Sequence, residues 1–183
     1  MSEYTSDSML IDSASVARRR AKKGLRPVWM LLVPLVAILF QVYVPRFVQF
    51  LGFLELPLLV TVYYGLMNRS PIPGLLYGCA IGLTQDSLAG AGSQHPLGMF
   101  GIVKTLVGYF AASVSLRFDV TNPLLQFVLA FFFFFFHQFF FWMMSRALLS
   151  QQVDFNVPQT MVFGLLNAIV AVPLFVLLDK LKE

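Results

Sequence analysis

The chain has 183 residues, of which 58% are hydrophobic and 12% charged, with a mean hydropathy of +0.76. Soluble domains carry about 45–50% apolar and about 25% charged residues, so a water-soluble globule of this composition would leave wide apolar patches exposed. That excludes an ordinary soluble enzyme domain and a disordered protein, and the net charge of +4 comes from a short basic block rather than from a nucleic-acid-binding surface.

Residues 1–26 are polar and contain that block: Arg18, Arg19, Arg20, Lys22, Lys23 and Arg26, six of the thirteen Lys and Arg residues. They read as a disordered basic cytoplasmic tail ahead of a transmembrane domain over residues 27–183. A membrane-crossing helix needs about 20 apolar residues. Apolar runs and breakers predict six helices, at 28–45, 54–67, 72–90, 97–116, 123–147 and 158–178. The expected fold is therefore all-α, a polytopic membrane protein with six transmembrane helices. The first run is too long for a signal-peptide core and lacks a small-x-small cleavage pattern after it, so it reads as a retained helix. The second is the weakest, with Pro57 inside it, and is expected to be short, tilted or partly interfacial. Asn68-Arg69-Ser70-Pro71, Gly92-Ser93-Gln94-His95-Pro96, Thr121-Asn122-Pro123 and Asn156-Val157-Pro158 separate the others. The run Phe131–Phe136 reads as lipid-facing and core filler in a helix apolar all round.

Basic residues orient the spans. Ten lie on one side (the N-terminal block, Arg69, Arg117, Lys180 and Lys182), against Arg46 and Arg146 on the other. The rich side is expected to be cytoplasmic, with both termini on it, which agrees with an even number of spans.

Polar residues inside the spans carry the remaining information, because an ionisable group at a helix centre costs about 2.5–3.5 kcal/mol on insertion scales. Gly74, Gly78 and Gly82 recur every four residues in the third span, and Asp86 continues the row. Such a row lets another backbone approach closely, from the same chain or from a partner's helix. The fourth span carries Gly98, Gly101, Lys104 and Gly108 at similar spacing, so Lys104 is expected to point into protein. A rise of about 1.5 Å per residue puts Asp86 about 21 Å and Lys104 about 20 Å above the cytoplasmic face, and the matching depth predicts an ion pair between the two helices. Gln126, His137, Gln138 and Asn167 read as interhelical hydrogen-bonding groups, and Pro173 as a kink in the sixth helix.

No catalytic, cofactor-binding or metal-binding residues are expected. The sequence has no His-Glu-x-x-His pair, no phosphate-binding glycine loop and no Gly-x-Ser-x-Gly elbow. Its single cysteine, Cys79, allows no disulfide framework. Ser93, His95 and Asp86 are neighbours in sequence but have no oxyanion element beside them, and the loops look too short to build a site.

The stretch from Gly74 through Gly-x-x-x-Asp86 to Gly90, followed by Pro96-Leu-Gly98-Met-Phe-Gly101 and Gly108-Tyr109, resembles the rod shape-determining protein MreD family. Leu54-Glu55-Leu56-Pro57 stands where that family often has Pro-Asp-Leu. The long charged tail and Lys104 depart from the family pattern. The resemblance implies a non-enzymatic scaffold of the bacterial inner membrane, surrounded by membrane lipid and binding no nucleic acid. Its implied partners are a periplasmic MreC-type protein, an actin-like MreB-type filament and the polymerase and transpeptidase of peptidoglycan synthesis. The resemblance also implies a fold similar to the substrate-binding subunits of energy-coupling-factor transporters. A small-solute, vitamin-type binding or transport subunit is then the alternative. That alternative would require an outer-face cavity with converging polar groups, whereas the polar residues look few and glycine-flanked.

Overall fold

The computed structural model describes residues 27–68, 70–89, 97–150 and 154–182. The basic tail, Arg69, the Gly90–Pro96 loop with Ser93 and His95, and Gln152 lie outside the described residues. Six α-helices are described: α1 (Pro27–Phe47), α2 (Leu56–Met67), α3 (Pro71–Ala89), α4 (Met99–Ser115), α5 (Pro123–Leu149) and α6 (Val157–Asp179). A 3-10 turn, Gln49–Phe53, links α1 to α2.

Local chemistry explains the boundaries. The Asn122 side chain accepts from Leu124 N–H and the Asn156 side chain from Gln159 N–H, so each caps the helix that follows. Pro57, Pro123 and Pro158 fall in first turns, where a missing N–H costs nothing. The proline inside the second predicted segment therefore starts α2 rather than interrupting it.

Three helices are long and apolar enough to cross a membrane: Val28–Phe47, Pro123–Leu149 and Val157–Asp179. Most of each faces outward, presenting Leu31, Val36, Phe132, Leu165 and Ile169 among many exposed apolar side chains. Such a surface suits hydrocarbon and not water, and the protein is a membrane protein.

α2 is short, as expected, with 12 residues spanning about 18 Å against a hydrocarbon core of about 30 Å. It is also central. Every residue from Pro57 to Leu66 is buried, and α2 touches each of the other five helices. It is the axis of the bundle, made short because its first turn is replaced by the 3-10 turn and an extended Leu54-Glu55 step.

Hydrogen bonds tie the helix ends together at two opposite poles. At one pole the Tyr64 hydroxyl donates to the Trp29 and Met30 carbonyls, the Ser115 hydroxyl to the Asn68 carbonyl, and the Tyr63 hydroxyl to Asp179. Asp179 also pairs with Lys182 there. Pro34 has no N–H for the Met30 carbonyl, so the tyrosine supplies a donor that α1 lacks. Both ends of the described chain lie at this pole.

Candidate functional site

The α3–α4 pair is the most extensive helix contact in the bundle, and glycine makes it possible. A Cβ on Gly74 would overlap the Gly108 carbonyl oxygen, one on Gly78 the Lys104 carbonyl oxygen, and one on Gly82 the Phe100 carbonyl oxygen. From the other side, a Cβ on Gly108 would overlap the Gly74 carbonyl. The two backbones interlock, so the row faces α4 of the same chain and leaves no groove for a partner's helix. Gly65 of α2 joins from the third direction: a Cβ there would stand 2.6 Å from the Ala111 Cβ. The sequence reading did not single out this glycine.

Asp86 ends the row, and the expected ion pair with Lys104 is not formed. Its carboxylate accepts from three backbone N–H groups at the start of α4: Gly98 at 3.0 Å, Phe100 at 3.3 Å and Gly101 at 3.0 Å. A helix N-terminus offers both free donors and about half a positive charge, so α4 itself neutralises the acid. Gly98 holds the cap with φ of 99°, a left-handed conformation natural to glycine. Matching depth brought Asp86 to the correct helix but not to the correct group on it.

Lys104 is fully buried elsewhere. Its Nζ lies 3.5 Å from His137 Nε2 and 4.6 Å from the centre of the Phe100 ring, which stacks with His137 and Phe141. His137 Nδ1 is buried without a partner. Gln126, by contrast, donates locally to the Val120 carbonyl.

Asn167 of α6 is wholly buried and serves the entry to α2. Its Nδ2 donates to the Phe53 carbonyl at 2.8 Å and to Phe163 in its own helix at 2.9 Å, while its Oδ1 accepts from the Glu55 N–H at 2.9 Å. Non-helical backbone at membrane depth survives only where protein satisfies it. One side chain does this for the step that shortens α2.

That step forms the floor of a cavity of about 580 Å³ at the pole opposite the chain ends. The 3-10 turn, the C-terminal half of α5 and the start of α6 line it, and it is open on one side. Its walls are aromatic (Phe134, Phe141, Trp142, Phe155, Phe163), and Glu55, Gln138, Asp154, Gln159 and Thr160 converge between them. Several polar groups line this cavity, and helix ends rather than long loops supply most of them. Glu55 is far in sequence from Gln138 and Asp154, and the step at Phe53–Glu55 places it in the cavity that they also line. The sequence signal was the set of polar residues near the ends of three different apolar runs.

The profile of the rod shape-determining protein MreD family matches residues 22–182. The chain belongs to the MreD family. Neither a curated protein nor a solved structure matches it. Within an MreD chain the motif residues now have physical roles: the glycine row and Gly108 let α3 and α4 interlock, and Asp86 with Gly98 caps α4. The family is a shape-determining one, and the chain has a role in rod shape as a membrane protein.

Proposed function

We propose that this MreD-family protein is a non-enzymatic scaffold of the cell-elongation machinery in the bacterial inner membrane, holding a transmembrane segment of an MreC-type periplasmic partner. The MreB-type filament and the peptidoglycan polymerase and transpeptidase are further partners on this reading. The observation that carries it is that the motif residues are consumed in architecture: the acid caps a helix, and the glycines lock two helices together. Partner contact then belongs to the outward apolar faces of α1, α5 and α6, where exposed side chains of one membrane protein can pack against another. In this reading all six helices form the membrane domain, with α2 inside a ring of the others, and the pole carrying both chain ends is cytoplasmic. The ten-to-two division of basic residues supports that orientation.

Co-purification from mild detergent tests the proposal. An MreC-type protein should accompany the full chain, and loss of the chain should round rod-shaped cells. Tight binding of a vitamin-sized solute by the isolated protein, together with support of its uptake, would overturn it. The cavity favours that second reading, a small-solute binding subunit of the energy-coupling-factor type, since about 300–1,000 Å³ is the usual range of ligand sites.

A further inference from the structure

We propose that the cavity between the 3-10 turn, α5 and α6 is a binding site for an organic cation, an ammonium group carried on an apolar body. The charge of its lining points this way. Glu55 and Asp154 are the ionisable side chains that line it, and none of the described lining residues is Lys, Arg or His. Glu55 Oε2 is buried and has no hydrogen-bond partner among the described residues, an arrangement that leaves a strong acceptor unsatisfied. The backbone beneath it is fixed by Asn167, so the carboxylate is presented from a rigid base. The rings of Phe134, Phe141, Trp142 and Phe163 line the same cavity. A carboxylate between aromatic walls suits an ammonium group: the acid accepts a charge-assisted hydrogen bond, and aromatic rings attract cations.

Two cations lie near the cavity, and neither lines it. Lys104 lies behind the wall with His137 and Phe100, outside ion-pair distance of Glu55. Arg146 is on the exposed side of Trp142, its guanidinium carbon 5.9 Å from the ring centre. The ammonium has two possible sources, an aminolipid headgroup entering from the bilayer or a water-borne amine, and the cavity chemistry is shared by both. The proposal stands apart from the scaffold reading, since partner co-purification and amine binding can fail independently.

Trp142 is one of only two tryptophans. The variant Trp29→Phe therefore makes its fluorescence a reporter for the cavity, and it retains the Trp29 backbone carbonyl that accepts from Tyr64. Full-length protein in a neutral detergent is titrated with phenethylammonium and, separately, with the size-matched anion 3-phenylpropionate. The expected result is a saturable change with the cation and none with the anion. Glu55→Gln should weaken cation binding about tenfold or more, the loss of one charge-assisted bond. Asp154→Asn, at an exposed position, provides the decision if Glu55→Gln does not elute as a folded species, and should weaken binding several-fold. Micelles doped with phosphatidylethanolamine or phosphatidylglycerol separate the sources. Displacement of the amine by the first lipid alone identifies a headgroup site, and no displacement by either identifies a water-borne ligand. Equal response to cation and anion, absence of any saturable response to the amine, or unchanged binding in both variants would overturn the proposal.

Discussion

Asp86 shows how a membrane protein can keep a carboxylate in its interior without a cationic side chain. Three N–H donors and the positive end of α4 surround it, so the acid and the helix each satisfy what the other lacks. Removing the side chain leaves three donors unpaired, that of Gly101 buried and those of Gly98 and Phe100 part-buried, and a buried unpaired donor alone costs about 1–3 kcal/mol. Asp86→Ala should therefore lose most of the folded protein, measured as the monodisperse fraction on size exclusion after detergent extraction. Asp86→Asn retains one acceptor and should cost less, about 1–2 kcal/mol. Adding Lys104→Met to Asp86→Asn should bring no recovery, because the lysine is not the acid's partner. Restoration of wild-type yield in that double variant would reinstate an ion pair between them.

Between helices the decisive quantity is backbone distance. With no hydrophobic force separating helix from lipid, dispersion at close range must hold α3 to α4, and side chains would prevent that range. At Gly78 even a methyl group meets the Lys104 carbonyl, a backbone atom that cannot rotate away. Gly78→Leu and Gly82→Leu should thus abolish folded protein, at or beyond the about 1–3 kcal/mol typical of overpacking. Gly52→Ala is the control, since a Cβ there meets only the Pro45 Cβ at 3.9 Å, an ordinary contact. Thermal unfolding of the purified variants measures both. If Gly78→Leu instead inserts, folds and loses only partner co-purification, the row faces outward and the interlock described here is wrong.

At the scale of the whole molecule, the helices alternate in direction between a pole with both chain ends and a pole with the cavity. With the first pole in the cytoplasm, reporter fusions at Gly52, Gln94 and Gln152 should all register the periplasm, and one at Arg117 the cytoplasm. A cytoplasmic signal at Gln94 would reject the arrangement. The same experiment decides whether α2, with about 18 Å of helix, completes a crossing together with the 3-10 turn that precedes it.

Helix positions were legible in the sequence because apolar helices are written in composition. Apolar runs between Asn, Gly and Pro clusters placed all six within a few residues, from 28–45 for Pro27–Phe47 to 158–178 for Val157–Asp179. The family was legible too, since its glycine and aspartate motif answers to a local need for close approach and capping. Partners were not legible, because a side chain's partner depends on which atoms of a neighbouring helix lie at hydrogen-bond range. Equal depth suggested Lys104 for Asp86, while the backbone of α4 stood nearer. Nor was the centrality of α2 legible: its length and Pro57 suggested a weak span, yet only packing decides that five other helices surround it. The cavity lay furthest from view. Glu55, Gln138 and Asp154 share no periodicity or spacing, and Glu55 reaches the cavity they line from a non-helical step held by Asn167, a contact between residues more than a hundred positions apart.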